Sequence, residues 1–95
     1  MDLKNTQSLQ RIFKESNVEF AGVFGSYARG AGASANDIDI LVRFRKPVSF
    51  SKFIRLQKNL HETLRIPVDL VTEKSLGKHI KNKVLQDLQT IYGKR

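Results

Sequence analysis

Apolar side chains recur along this chain with two spacings, one typical of helices and the other typical of strands. Spacings of three and four residues predict helices, as for Leu9 and Phe13 near the start. Alternation predicts strands, as for Ile38, Ile40 and Val42. The pattern predicts helices at about 3–14, 49–64 and from 74 or 75 to 92, and strands at about 18–24, 37–44 and 68–72.

Prolines and glycines set the ends of several of these elements. Pro47 precedes the second long helix, and Pro67 ends it and opens the third strand, because proline does not continue a helix. The last helix carries an apolar stripe that reaches Ile91, and Gly93 closes it. With a short helix after Gly25-Ser26, the elements predict an α/β fold in the order α-β-α-β-α-β-α around a small sheet.

The segment 25–42 holds the candidate chemistry. Gly25 and Ser26 directly follow the first strand, whereas Asp37 and Asp39 share one face of the second strand, where carboxylates can bind divalent cations together. Gly25 has no Cβ to block a ligand, and Ser26 with the amides of a following helix offers donors to phosphate oxygens. A phosphate turn that faces a pair of carboxylates indicates nucleotide chemistry.

Asp69 is a third candidate ligand, because it is a lone carboxylate within an apolar strand. A buried charge is costly unless it is paired or bound to a metal. If the third strand lies beside the second, Asp69 joins Asp37 and Asp39, and three crowded negative charges predict Mg²⁺. An isolated Asp-x-Asp can instead protect a sheet edge, but the Gly-Ser turn and Asp69 together disfavour that interpretation.

Composition narrows the class of protein. The 95 residues, 40% of them hydrophobic, suffice for one core, so we expect one domain over residues 1–95. The absence of cysteine excludes disulfides, thiolate metal sites and cysteine nucleophiles. No apolar run is long enough for a signal peptide or a membrane span, so we expect a cytoplasmic protein with no membrane partner.

The net charge of +8 is large for this length and leaves several partners open. It suits a solvated surface, a nucleic acid or an acidic protein partner. Aromatic residues do not interleave with the cations in the way that a platform for single-stranded bases needs. Nucleic acid is therefore the less favoured partner.

Four features together resemble the nucleotidyltransferase fold of the DNA polymerase β superfamily. They are the Gly25-Ser26 turn, Ala28-Arg29-Gly30, Asp37-x-Asp39 and the downstream Asp69. Within that superfamily, the compact chain is similar to the minimal nucleotidyltransferases, the antitoxin half of HEPN/MNT toxin-antitoxin pairs. The resemblance implies a small mixed sheet of about three strands flanked by about four helices. It also implies two Mg²⁺ ions, ATP as donor, and transfer of AMP to a tyrosine of a partner HEPN-type toxin.

Carried over residue by residue, the resemblance assigns a role to each candidate. Gly25-Ser26 is implied to hold the triphosphate, and Asp37 and Asp39 are implied to bind the metals. Asp69 is implied to help bind the catalytic metal and to orient or deprotonate the acceptor hydroxyl. Arg29 has two interpretations, a contact to phosphate or partner and a plain surface arginine on the turn.

Three functions stay open at this point. The leading hypothesis is an adenylyltransferase antitoxin that modifies a partner protein. A non-catalytic antitoxin of the same fold would inhibit its toxin by covering it, which the three intact acids disfavour. An RNA-binding module or an RNA-directed nucleotidyltransferase is the third hypothesis, disfavoured because the short chain has no room for a second lobe.

Overall fold

The computed structural model describes residues 7–31 and 37–95, which form a four-stranded sheet with helices on both faces. In chain order the elements are α1 (Gln7–Glu15), β1 (Val18–Phe24), a π-helical turn (Tyr27–Ala31), β2 (Ile38–Phe44), α2 (Phe50–Leu64), β3 (Val68–Thr72), a 3₁₀ turn (Glu73–Ser75), α3 (Lys78–Asp87) and β4 (Gln89–Gly93). The predicted start of the first helix at residue 3 lies outside the described residues. Among the described helices, none combines the length and the apolarity that a membrane crossing needs.

The strands lie in the order β3-β2-β1-β4. β1 is antiparallel to both β2 and β4, whereas β2 and β3 are parallel. A parallel pair needs a crossover connection, and α2 supplies it between β2 and β3. The predicted mixed sheet is therefore confirmed, with four strands rather than about three.

The two faces of the sheet are covered by different helices. Phe13 of α1 and Leu60 of α2 are fully buried in the core on one face, together with Ile40 of β2. Leu41, the next residue of β2, points to the opposite face and packs with Val84 of α3. The starts of β2 and β3 thus lie in a sheet that is held from both sides.

The second long helix begins and ends where the sequence predicts. The Lys52 backbone N–H donates to Ser49 Oγ at 3.2 Å, which caps the first turn of α2. Arg65 follows the helix in the left-handed conformation, with φ of 58°. The Ile38 N–H then donates to the Pro67 carbonyl at 2.9 Å, which fixes β3 beside β2 at its first residues.

The C-terminal segment differs from the predicted single helix to residue 92. α3 ends at Asp87, and Gln89–Gly93 forms β4 against the free edge of β1. Ile91 of this strand is buried, and the centroid of the Tyr92 ring lies 5.4 Å from that of the Phe13 ring of α1. Strand pairing satisfies the backbone groups of that edge and buries a β-branched side chain, and these gains outweigh the helical spacing of the segment.

Candidate active site

The starts of β2 and β3 bring the candidate carboxylates to one end of the sheet. Asp39 lies opposite Asp69 across the parallel pair and opposite Phe24 across the antiparallel pair. Asp37 is exposed and lies directly before β2, one residue outside the strand. Because side chains alternate along strands, Asp39 and Asp69 lie on the same face as α3, where Asp39 is partly buried and Asp69 is exposed. The expectation of a buried Asp69 is therefore wrong, because β3 is an edge strand of the sheet. The register of two strands therefore sets Asp39 and Asp69 side by side.

Gly25 lies directly after β1 and against Asp39. Its φ of +75° is left-handed backbone that residues with a side chain rarely adopt. A Cβ built on Gly25 would also clash with Oδ2 of Asp39. The sequence predicted that a missing Cβ leaves room here for a ligand, and the structure shows that it leaves room for the Asp39 carboxylate.

Asp39 carries the electrostatic signature of the site. Partial burial raises the pKa of its carboxyl above the ordinary value of 3.8, and the charges of Asp37 and Asp69 raise that pKa further. The positive charge of Arg29 acts on Asp39 in the opposite direction. Ionised carboxylates thus repel one another at this end of the sheet, which is a setting that a bound cation stabilises.

The donor set suits a hard cation such as Mg²⁺, which takes carboxylate oxygens as ligands. However, no three Asp, Glu or His side chains in the described parts of the chain lie close enough to form a ready-made metal group. Strand register fixes the pair Asp39 and Asp69, while the three-carboxylate site with Asp37 stays a prediction.

The turn at residues 25–31, called the 25–31 turn below, carries the other candidates. The short helix predicted after Gly25-Ser26 is present as one π-helical turn, which Gly30 interrupts with φ of 99°. Arg29 Nη1 donates to Asp87 Oδ2 at 2.6 Å, and the Arg29 side chain is 61% exposed. Gln89 Nε2 donates to the Ala28 carbonyl at 2.9 Å. Arg29 thus forms an ion pair with Asp87 at the surface, and its contact to phosphate or partner stays a prediction.

Asp87 and Gln89 were not predicted as site residues, because both fell within the predicted last helix. One signal was present, since Asp87 is the only acidic residue after Glu73 in a segment rich in lysine. Its partner Arg29 is 58 residues away, so no local pattern could identify the pair.

Two cavities lie near opposite ends of β2 and β3. A cavity of about 440 Å³ lies beside Gly25, and Arg29, Lys83 and Asp87 line it. A larger groove of about 690 Å³ lies at the other ends of the strands, where Phe50 is 78% exposed. The smaller cavity adjoins the carboxylates through Gly25, so we place the candidate site there.

Comparisons with known proteins identify the family and the fold of this chain. Residues 7–95 match the family described as Polymerase beta, Nucleotidyltransferase. The chain is 45% identical over 83 residues to Protein adenylyltransferase MntA of Thermococcus cleftensis, with 87% of this chain and 84% of that protein covered.

Two solved structures share the fold. One is a chain of a toxin-antitoxin crystallised with AMP-PNP, with a TM-score of 0.78, 22% identity, and coverage of 96% of this chain and 75% of that chain. The other is a chain from the complex that the tri-AMPylated Shewanella oneidensis HEPN toxin forms with MNT antitoxin. Its TM-score is 0.67 at 22% identity, with 88% of this chain and 66% of that chain covered.

Proposed function

Because this chain belongs to the polymerase beta nucleotidyltransferase family, we propose that it is a protein adenylyltransferase that acts as an antitoxin. It transfers AMP from ATP, with Mg²⁺, to a tyrosine hydroxyl of a partner HEPN-type toxin and thereby neutralises that toxin. The relative named as a protein adenylyltransferase and the AMPylated HEPN toxin in complex with an MNT antitoxin support this proposal. The cytoplasm, which supplies ATP, is the proposed place of action.

One observation carries the proposal. Asp39 lies opposite Asp69 in the strand register, and Gly25 leaves the space that the Asp39 carboxylate occupies. Carboxylates on neighbouring strands beside a Gly-Ser turn form an arrangement that suits nucleotidyl transfer with bound metal.

Each site residue has a role in this proposal. Asp37, Asp39 and Asp69 would hold Mg²⁺, which neutralises phosphate charge when bound. Gly25-Ser26 and Arg29 contact the triphosphate. Since transfer to phosphorus depends mainly on positioning and electrostatics, these contacts supply most of the rate enhancement.

The proposed reaction forms one bond and breaks another. The acceptor hydroxyl oxygen bonds to the α-phosphorus of ATP, and the bond from that phosphorus to the oxygen bridging the α- and β-phosphates breaks. Pyrophosphate leaves, and the hydroxyl proton passes to the carboxylate of Asp69. The product is AMP joined to the acceptor through a phosphodiester.

Intact-mass spectrometry tests this function directly. The protein encoded beside this chain, which is the proposed HEPN-type partner, is incubated with ATP, Mg²⁺ and either the wild-type chain or its Asp37→Ala/Asp39→Ala variant. We expect the partner to gain whole adenylyl units with the wild type only, and to gain none when EDTA replaces Mg²⁺. Peptide mapping then checks that the added AMP lies on tyrosine.

A different result would support one of the other functions. A stable complex without a mass change would support an antitoxin that inhibits its toxin by binding alone. The cationic groove, lined by Arg45, Lys46 and Lys74 among others, is the feature that would suit an RNA acceptor. Incorporation of label from radioactive ATP into RNA, with no label in protein, would support the RNA-directed transferase.

A further inference from the structure

Two side chains from the C-terminal part of the chain hold the 25–31 turn. Asp87 accepts a hydrogen bond from Arg29 at 2.6 Å, and Gln89 donates one to the carbonyl of Ala28 at 2.9 Å. The partners are 58 and 61 residues apart in the sequence, so the contacts depend on the tertiary fold. They join the turn to the end of α3 and the start of β4.

The turn needs such support because its own backbone restrains it weakly. Gly30 interrupts the helical conformation with φ of 99°, and glycine loses more conformational entropy on ordering than other residues. Tyr27 and Ala28 pack against the main core and fix one side of the turn. The contacts from Asp87 and Gln89 fix Arg29 and the backbone beside it.

Arg29 keeps binding capacity while it is paired with Asp87. A guanidinium has five N–H donors, and one of them is directed at Asp87. The Arg29 side chain is 61% exposed, whereas that of Asp87 is 25% exposed and lies at the end of a helix packed on the sheet. Asp87 is thus the anchored member of the pair, and Arg29 is the member that a ligand can reach.

The pair also lies where a nucleotide would bind. Arg29 and Asp87 line the cavity of about 440 Å³ beside Gly25. The positive charge of Arg29 partly offsets the upward shift in the pKa of Asp39. The guanidinium is therefore close enough to act electrostatically on this carboxylate. A triphosphate held at Gly25-Ser26 would therefore lie within reach of the remaining donors of Arg29.

We propose that Asp87 and Gln89 are positioning residues that hold Arg29 and the 25–31 turn ready to receive the triphosphate of ATP. The inference rests on the proposed function, because it takes ATP as the ligand of this turn. A side chain that is already ordered loses less entropy when the ligand binds, which strengthens binding. Asp87 therefore aids nucleotide binding although its own charge has the same sign as the phosphates.

Calorimetric titration with AMP-PNP and Mg²⁺ tests the inference on the full chain. We expect Asp87→Asn to weaken binding about three- to fivefold, the range of a partly exposed ion pair. Gln89→Ala should weaken binding by a smaller factor. In the transfer assay, the KM for ATP rises with Asp87→Asn while kcat at saturating ATP is unchanged. Thermal melting confirms that each variant is folded.

A matched control and a double variant separate positioning from general effects. Glu62→Gln removes the same charge from an exposed carboxylate of α2 and should leave AMP-PNP affinity unchanged. If Asp87 acts through Arg29, Arg29→Gln/Asp87→Asn binds AMP-PNP as weakly as Arg29→Gln alone. An additional loss in the double variant would overturn the positioning role.

The remaining outcomes also give clear answers. Tighter binding by Asp87→Asn would show that Asp87 competes with phosphate for Arg29 and would overturn the inference. Unchanged affinity in Asp87→Asn, when the wild type binds AMP-PNP, would overturn the inference and leave the proposed function standing. Absence of any AMP-PNP binding by the wild type would instead contradict the proposed function itself.

Discussion

The two ends of strands β2 and β3 carry opposite charge. At their starts, Asp39 and Asp69 lie side by side, and Asp37 directly precedes β2. Near their ends, the groove of about 690 Å³ is lined by several cations, and none of the described residues that line it is acidic. A sheet of this small size thus separates a carboxylate end from a cationic end.

The two ends differ in how firmly the charges are held. Strand register fixes Asp39 and Asp69, whereas Arg45, Lys46 and Lys74 follow the strands in connecting segments. Within the described part of the chain, these three cations form no ion pair. Catalysis requires groups in fixed positions, while a surface field of unpaired cations mainly attracts anions. This difference supports the proposal that the chemistry takes place at the carboxylate end.

Removal of a carboxylate should have the largest effect. We expect Asp37→Ala, Asp39→Ala and Asp69→Ala each to reduce transfer about a thousandfold or more, because charge stabilisation through the metal is worth several kcal/mol. The variants stay folded, since each removes a repelling charge and opens no cavity in the core. Transfer rates and thermal melting check both statements. A variant that unfolds would show that its acid supports the fold.

Substitution of Gly25 tests whether the carboxylate end depends on close packing. Gly25→Ala places a Cβ against Oδ2 of Asp39 and should reduce transfer by about ten- to a hundredfold, since small misplacements of reacting groups are costly. Gly30→Ala is the matched control. It has a similar positive φ of 99°, but its Cβ meets nothing within 4 Å.

Both glycine variants carry backbone strain, expected to cost about 1 kcal/mol of stability each. The difference between their transfer rates therefore separates the effect of a Cβ at Gly25, on Asp39 and on the bound triphosphate, from the effect of backbone strain. Equal rates in the two variants would show that the position of the Asp39 carboxylate tolerates displacement.

Local signals made the carboxylate end predictable from sequence. Short runs of apolar residues predicted β1 and β3 with the bounds observed, and Pro67 marked the start of β3. The short distance along the chain from Gly25-Ser26 to Asp37 and Asp39 made the candidate site visible. The position of Asp69 beside Asp39 depends on a long-range contact, the pairing of β2 with β3. The sequence alone predicted that position only on the condition that these two strands are neighbours.

The C-terminal segment was less predictable because distant residues decide its structure. Helical spacing extends from Leu76 to Ile91, yet the free edge of β1 recruits Gln89–Gly93 as a strand. The run Thr90-Ile91-Tyr92 favours a strand by its residue types, but three residues are too few to outweigh a helical stripe. The contacts of Asp87 and Gln89 follow from this arrangement and could not be predicted without it.

Charge repulsion at the carboxylate end should also be visible in stability. The pKa of Asp39 in the folded protein is raised above the unfolded value of 3.8, so the folded state favours the protonated carboxyl. As pH rises through the folded pKa, this carboxyl ionises and the folded protein loses stability. In EDTA at pH 7, we expect Asp39→Asn to melt a few degrees higher than the wild type.

The gain from Asp39→Asn should shrink as pH falls through the raised pKa, because the wild-type carboxyl then becomes neutral too. Addition of Mg²⁺ should reverse the order of the two melting temperatures, because the bound cation stabilises the wild type whereas the variant lacks one of its ligands. A lower melting temperature for Asp39→Asn at pH 7 in EDTA would contradict the repulsion.

The smallest effect is expected at the cationic end. Asp69 and Thr72 lie three residues apart on β3, which is about 10 Å along the strand, and Lys74 follows Thr72 in the 3₁₀ turn that lines the groove. This is about one Debye length at physiological salt, beyond which exposed charges are largely screened. Lys74→Gln, in the groove, should therefore leave the affinity for AMP-PNP within about twofold of the wild type.

Lys83 provides the matched comparison, because it lines the smaller cavity together with Gly25 and Arg29. Lys83→Gln removes the same charge and should weaken AMP-PNP binding about two- to fivefold in calorimetric titrations, a loss that high salt reduces. If Lys74→Gln weakens binding as much as Lys83→Gln, the net charge of the whole protein attracts the nucleotide. If only Lys83→Gln loses affinity for AMP-PNP, a cation must lie beside the 25–31 turn in order to act on ATP.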